Sequence, residues 1–585
     1  MSNFRNPILL TTMLVSILSL NLSCKKTTAS PPVSTTPGNP NDLDSVITPG
    51  VDPSVAETIG FFLDDWTSKS FTAPEFNDHA IASSPTIVLT IDPSSIITKI
   101  APSVFGQNAV FWMGPVNSEP LFINPVNDLK PHVLRFPGGS ASDAYFWNQP
   151  QGQNPSDAPA TIMDKDANLV APGYNYGMSN QNWICSLDNY YDMLSQTQNQ
   201  GLITINYGYA RYGTSTNPVA AAAHLAADWV RYDHGRTKYW EIGNENFGDW
   251  EWGYRIDLTK NKDGQDEYLT GALYAKHFKI FADSMRQAAS ETGHPIYIGA
   301  VTVEAPANES WQTNTLKTWN AGMMAGILDV ADYYVVHNYF TPYNTNSSAT
   351  DVLNAATTVP AQMMGYLPST ITSYGASIKP IVLDEWNMFA VNSQQMVSNT
   401  SGAFAVLVLS ELMKNKFGLG ARWDLLNGWS NGDDMGLFSA GDEPGVSKWN
   451  PRPSFYYMYI YKKFLGDRLV STSLSNNSTL MAYSTTFSSG QINATLVNTG
   501  SAAQTVQVKL KNFHTGSRFY WYDLESGTTL NDFARQVFVN GEGPSGSAGG
   551  PSDYASIKPY SSLTQNGIIV KVPPLGMISL VIDKK

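Results

Sequence analysis

The sequence predicts an α/β protein, a (β/α)8 (TIM) barrel over residues 101–464 followed by an antiparallel β-sandwich over residues 465–585. Two observations carry this. Through the first stretch, short apolar runs alternate with stripes of helical period, the grammar of parallel strands covered by helices, and eight strand candidates over that length imply closure into a barrel. After about Leu465 the period changes to two and the helical stripes cease. A chain of 585 residues is long enough for one large barrel and a smaller partner.

The amino terminus has the form of an export signal over residues 1–24: Arg5 supplies positive charge, residues 8–22 are mostly apolar, and Ser23-Cys24 follows. Cys24 is read as a lipidated cysteine, which implies a bacterial outer-membrane or periplasmic lipoprotein, or one displayed on the cell surface. The apolar run is shorter than the ~20 residues of a bilayer-spanning helix. Residues 25–85 begin as a tether rich in Thr, Ser, Pro, Gly and Asn. Within them, Ile59-Gly60-Phe61-Phe62-Leu63 is apolar enough to dock, at a place the sequence leaves open. Residues 86–91 alternate like a strand that has no helical partner, so the segment 86–100 is expected to join the sandwich.

In the barrel, residues 103–112 give the first strand signal. The clearest unit starts at the strand 202–206, where Asn217-Pro218 then supplies a helix cap and a proline at the first helical position. Val219, Ala222, Ala223, Ala226, Trp229 and Val230 form one apolar stripe, Gly235 can end the helix, and residues 239–242 resume as a strand. Tyr274, Phe278, Phe281, Ala282 and Met285 repeat the stripe before Gly293 and the strand 296–301. Further strands are expected at 333–339, 381–386 and 421–426, with a helix at 403–412. In the sandwich, Val506, Val508 and Leu510 alternate with polar residues, 569–572 and 578–582 are strands, and 541–552 is a glycine-rich loop.

Composition narrows the function. The net charge is -13 and no basic cluster exceeds Lys25-Lys26, which argues against a nucleic-acid partner. With 12% aromatic and only 15% charged residues, the chain suits a neutral substrate with flat faces to stack. Cys24 and Cys185 are its two cysteines, so no internal disulfide forms once Cys24 is lipidated, and Cys/His zinc chemistry has no support. Cys185 reads as a buried small residue, and no metal or cofactor is expected.

Barrel active sites lie at the carboxyl ends of the strands. Glu245 follows Trp240-Glu241-Ile242-Gly243-Asn244, and Glu385 follows Ile381-Val382-Leu383-Asp384. Each ends an apolar strand, where a carboxylate is costly unless it faces a polar cleft. They stand 140 residues apart, about three strand-helix units, which places them on strands four and seven across the barrel mouth. Paired carboxyls of this kind are what glycoside hydrolysis requires; the plainer alternative is a rim ion pair with an arginine.

Residues 240–245 and Leu383-Asp384-Glu385-Trp386-Asn387 resemble clan A of the glycoside hydrolases. Together with Leu134-Arg135-Phe136-Pro137-Gly138-Gly139 and Val336-His337-Asn338-Tyr339, they are most similar to family 51, the α-L-arabinofuranosidases and their relatives. The resemblance implies Glu245 as general acid/base, Glu385 as nucleophile, and Asn244 as donor to the sugar 2-hydroxyl. By the same match Arg135 lies beneath Glu385 and Tyr339 holds its carboxylate; His337 is a candidate for the site wall, with a satisfied buried histidine as the alternative, and Trp386 a candidate for substrate binding or support. A neighbouring guanidinium and phenol would keep Glu385 ionised, while poorer solvation beside a negative partner would keep the proton on Glu245. After the double glycine, residues 140–147 depart from the family's usual Asn and Phe. Trp147, Trp250, Trp252, Trp386 and Trp429 are candidate stacking platforms, with rim packing as the alternative.

The expectation is a retaining hydrolase of a plant or algal polysaccharide or its oligosaccharides, arabinofuranosidase-like. An endo-acting β-glycanase of the same clan is the enzymatic alternative, and an inactive surface glycan-binding protein the alternative of another class. The membrane is engaged only through the lipid anchor.

Overall fold

The computed structural model describes residues 38–585 apart from 390–393, 430–434, 477–478, 528–532 and 545. The export signal and Cys24 lie outside the described residues.

Eight parallel strands close into a barrel: β1 (Gly106–Asn108), β2 (Val133–Phe136), β3 (Gln200–Ile205), β4 (Thr237–Ile242), β5 (Tyr297–Val301), β6 (Tyr333–Asn338), β7 (Ile381–Trp386) and β8 (Leu419–Arg422). Closure is made where Ala421 and Arg422 pair with Gly106 and Gln107. Gly106 is required there, because a Cβ would stand 2.6 Å from the Gly420 carbonyl oxygen. The helices form as their sequences dictate. Asn217 accepts from the Ala220 N–H, Pro218 opens the helix Pro218–Asp233, and its apolar stripe is buried against the barrel. The helix Gly271–Thr292 ends at Gly293, which takes the left-handed conformation at φ 73°.

Two spans differ from the sequence reading. The first strand is only three residues long, with short 3-10 turns before and after it, because the chain bends to bring Gly106 against strand β8. The last strand starts at Leu419, and beyond it Leu426–Asn427 pairs with Phe438–Ser439 in a separate two-stranded ribbon.

The carboxy-terminal domain is one long sheet curled around its own core, which includes Leu89, Leu496, Val508, Trp521 and Leu580. It is mixed rather than antiparallel. The strand Ile87–Lys99 pairs antiparallel with Arg468–Leu474 but parallel with Gln504–Leu510. A parallel neighbour needs a long crossover, and here the crossover includes the whole barrel.

The segment that the sequence left open closes the amino-terminal end of the barrel. Ile59 and Phe62 are buried, Phe61 stacks on Tyr297 with ring centroids 3.8 Å apart, and Phe62 meets Tyr239 at 4.9 Å. The carbonyl of Thr58 accepts from the Ile381 N–H at 2.9 Å, tying this plug to β7. Among the described residues no helix is long and apolar enough to cross a membrane.

Candidate active site

Arg135, on β2, is wholly buried inside the barrel and organises the site. Its Nε and Nη2 donate to Glu241 at 3.1 and 2.6 Å, Nη2 also reaches Asn244 at 2.8 Å, and Nη1 donates to Asn108 at 3.0 Å and to Glu385 at 2.9 Å. A planar guanidinium with a fork of donors suits this bridging role in a way an ammonium cannot. Burial opposes its charge, but Glu241, Asp384 and Glu385 more than compensate.

Two consecutive carboxylates, Asp384 and Glu385, face the same interior, which regular strand alternation forbids. A bulge explains it: Val336 pairs with Leu383 and His337 with Glu385, so Asp384 is skipped. Tyr339 then donates its hydroxyl to Glu385 Oε1 at 2.6 Å, opposite the Arg135 bond to Oε2. Glu385 is pinned on both oxygens. Burial, together with the nearby charge of Asp384, pushes the Glu241 carboxyl up to about 8, against the pull of Arg135.

Glu245 lies just past β4 on a tight turn, with φ 84° at Gly243 and φ 43° at Glu245 itself. A Cβ on Gly243 would fall 1.8 Å from Asn246 Oδ1, so only glycine fits. Trp250 donates its indole N–H to Glu245 Oε2 at 2.9 Å, and His337 Nδ1 stands 3.0 Å from Oε1. His337 also lies 3.3 Å from Asp384 through Nε2 and 3.8 Å from Glu385 through Nδ1. Burial pulls the imidazole pKa down, but the charge of Glu385 and the bonds to Asp384 and Glu245 raise it well above its usual value. Burial likewise pushes Glu245 up, and the His337 bond and charge with the Trp250 bond overcome it, so its carboxyl falls below the usual range. The environment therefore favours the charged forms of both His337 and Glu245, because three carboxylates surround that ring.

Each of the expected residues occupies a defined place. An oxygen of Glu245, an oxygen of Glu385 and a ring nitrogen of His337 all lie within 4.8 Å of one another. Asn244 accepts from Arg135 and donates to Glu251 at 2.9 Å. Trp386 is a correction: it is fully buried behind β7 against Phe404, 6.0 Å between centroids, and supports the strand without facing the cleft. Trp147 is buried with its N–H on the Leu225 carbonyl, Trp252 is partly buried against the core, and Trp429 carries Arg535 over its ring at 5.5 Å. Of the five, Trp250 is the half-exposed ring bonded to a catalytic candidate.

Sequence reasoning missed Glu241, Asp384, Asn108, Asp143 and Glu251. Glu241 and Asp384 sat inside the quoted words, and their signal was a second carboxylate within an apolar strand. Asp143 accepts from the N–H groups of Tyr207 and Gly208 and from Asn246 at 2.6 Å, and burial pushes its carboxyl up to about 7. It therefore ties together the loops after β2, β3 and β4. Gly138 and Gly139, at φ 95° and 57°, pass under Trp423 with no room for a Cβ.

Two triplets here have metal-ligand character, Glu241 with His337 and Asp384, and Glu245 with His337 and Glu385. The Arg135 guanidinium already supplies a cation to Glu241 and Glu385.

The chain shares its fold with solved arabinofuranosidases. One such structure is 16% identical and aligns over 85% of this chain and all of its own, with a TM-score of 0.58. An α-L-arabinofuranosidase from Thermotoga maritima is 17% identical over 86% of this chain and all of its own, with a TM-score of 0.56. A Paenibacillus polymyxa xyloglucanase of glycoside hydrolase family 44 is 12% identical over 86% of this chain and all of its own, at 0.54. No protein-family model and no curated protein matches the sequence.

Proposed function

We propose that the protein is a retaining glycoside hydrolase of the α-L-arabinofuranosidase type, acting on a plant or algal polysaccharide or its oligosaccharides. One observation carries the reading: two carboxyl groups, Glu245 just past β4 and Glu385 on β7, face each other with oxygens within 4.8 Å. Retention calls for carboxyls about 5–5.5 Å apart, whereas inversion needs roughly 6.5–9.5 Å to admit a water. Glu385, fixed by Arg135 and Tyr339, is the nucleophile that attacks the anomeric carbon. Glu245 protonates the departing oxygen and later takes a proton from water.

Proton supply follows from the electrostatics. The charge of Glu385 is the leading influence that raises the His337 pKa. As Glu385 becomes a neutral glycosyl ester that influence falls away, and His337 Nδ1, 3.0 Å from Glu245, is placed to exchange a proton with it.

A screen of purified protein on aryl glycosides, with the anomer of the first product read by NMR, tests this. Hydrolysis of an aryl α-L-arabinofuranoside with retained configuration supports it, and first-formed inverted product or inactivity on every glycoside refutes it. A second reading, an endo-acting β-glycanase, is favoured by exposed rings on barrel loops: Trp250 after β4, Trp311 after β5 and Tyr343 after β6. Oligosaccharides in place of single sugars from arabinoxylan or xyloglucan would select it. We also propose export and lipidation at Cys24; incorporation of a palmitate analogue, lost in Cys24→Ala, is the check.

A further inference from the structure

At the barrel end opposite Glu245 and Glu385 lies a cavity of about 190 Å³, walled by Asp65, Trp66, Lys69, His132, Lys462 and Asp467 among others. Its position follows from its residues. His132 directly precedes β2, and Lys462 stands in the last turn of the helix Pro453–Phe464. Lys69 comes from the strap that continues the barrel plug, and its backbone N–H donates to Asp467 at 2.6 Å.

The chain's net charge is -13, yet positive groups gather here. The two carboxylates in the wall are already engaged: Asp65 with Lys238 at 3.1 Å and with His132 Nε2 at 3.8 Å, and Asp467 with Arg468 at 2.8 Å and Ser488 at 2.7 Å, while among the described residues the Lys69 ammonium reaches only the Leu465 carbonyl, at 3.4 Å. Lys462 has no such partner. Among the described residues no carboxylate lies within 4.0 Å of its ammonium, and its recorded neighbour is the Phe105 ring at 5.3 Å. Burial, with Lys69 and Lys130 nearby, pushes it down to about 7. Burial also lowers Lys69, though Asp467 raises it, and lowers His132, which Asp65 raises. Lys462 is only partly exposed, and an ammonium drawn partly out of water with no counter-charge in contact is stabilised by an anion.

We propose that this cavity binds a compact oxyanion, held by the ammonium groups of Lys462 and Lys69 and by the His132 ring. The site is independent of the catalytic cleft and of the hydrolase reading. Its ligand chemistry is a sulfate, a phosphate or a sugar carboxylate. Because the barrel helix, the strap and β2 all contribute, occupancy fastens the plug to the barrel and raises the stability of the fold.

The test follows thermal unfolding of the full chain at pH 6.0 against sodium sulfate, with sodium chloride holding ionic strength constant. General exclusion of sulfate raises Tm without saturating, whereas occupancy of a site saturates with concentration. The expected result is a saturable rise in the wild type that is absent in Lys462→Met and kept in Lys462→Arg. At pH 8.5 wild-type binding should weaken severalfold or more, as Lys462 loses its proton, whereas the permanently charged Lys462→Arg retains it. Should Lys462→Met fail to fold, the comparison of wild type with Lys462→Arg at pH 8.5 decides alone. Phosphate and glucuronate in place of sulfate separate the sources: a response confined to glucuronate identifies a sugar acid, and one shared by sulfate and phosphate identifies a free inorganic anion. No saturable rise with any of the three at pH 6.0, an equal rise in wild type and Lys462→Met, or loss of binding by Lys462→Arg at pH 8.5 would overturn the site.

Discussion

Arg135 shows how much one residue can govern. Five hydrogen bonds join it to Glu241, Asn108, Asn244 and Glu385, all buried or nearly so. Replacing it by Met strands those carboxylates without a cation, and breaking a buried pair in this way costs about 3–5 kcal/mol. Urea unfolding of Arg135→Met should show that loss, and a change under 1 kcal/mol would contradict the account. His337 gives a second prediction with a definite sign. Its folded pKa is raised, so its stabilisation is complete below the unfolded value near 6.5 and is lost as pH rises through the folded value. The stability gap between wild type and His337→Asn should therefore shrink as pH is raised from about 6.5; a gap that widens would place the proton elsewhere. At this scale the sequence was legible where a residue type has few other uses in an apolar strand, as with Arg135, Glu245 and Glu385. It was illegible for the lowered pKa of Glu245, because that depends on three carboxylates converging on His337 from the ends of β4 and β7.

Strands and loops carry the next lesson. Periodicity located seven barrel strands and the main helices, since an amphipathic stripe or an apolar run buries only one way. It overstated β1, because the bend at Gly106 is a response to strand β8, which lies more than 300 residues away. The bulge that turns Asp384 and Glu385 to the same side breaks alternation, so pattern reading named the second and passed over the first. The turn after β4 is the most demanding local element, and Gly243→Ala tests it. A Cβ cannot be housed beside Asn246, and φ is already 84°. The expected outcome is a loss of about 1–3 kcal/mol of stability together with roughly a hundredfold lower kcat/KM, since a carboxyl displaced by about 1 Å loses its reach. Full activity with a lowered Tm would mean that the turn does not position Glu245.

Across the whole molecule, barrel and carboxy-terminal domain share one body of packing. Phe464 meets Tyr522 with centroids 5.1 Å apart, Tyr483 donates to the buried Glu411 at 2.7 Å, and Asn399 donates to the Leu575 carbonyl. The strand Ile87–Lys99 enters the carboxy-terminal sheet before the barrel begins. Truncation at residue 465 should thus bare apolar surface and an unpaired edge, yielding insoluble protein; a soluble, fully active fragment would show that the second domain is dispensable. Domain order was readable from the change of period, whereas the mixed pairing was not, since it is decided by a strand that leaves the sheet and returns only after the barrel. The central claim is the division of labour between Glu245 and Glu385. The most direct measurement follows Glu245→Ala on an activated aryl α-L-arabinofuranoside, with and without azide. A good leaving group needs little protonation, so Glu385 still forms its ester, and the intermediate then waits for a base that has gone. The account predicts a burst of released phenol, then azide-accelerated turnover to a glycosyl azide of retained configuration, with no turnover in Glu385→Ala. Burst and rescue in Glu385→Ala but not in Glu245→Ala would reverse the assignment, and a glycosyl azide of inverted configuration would contradict the double displacement itself.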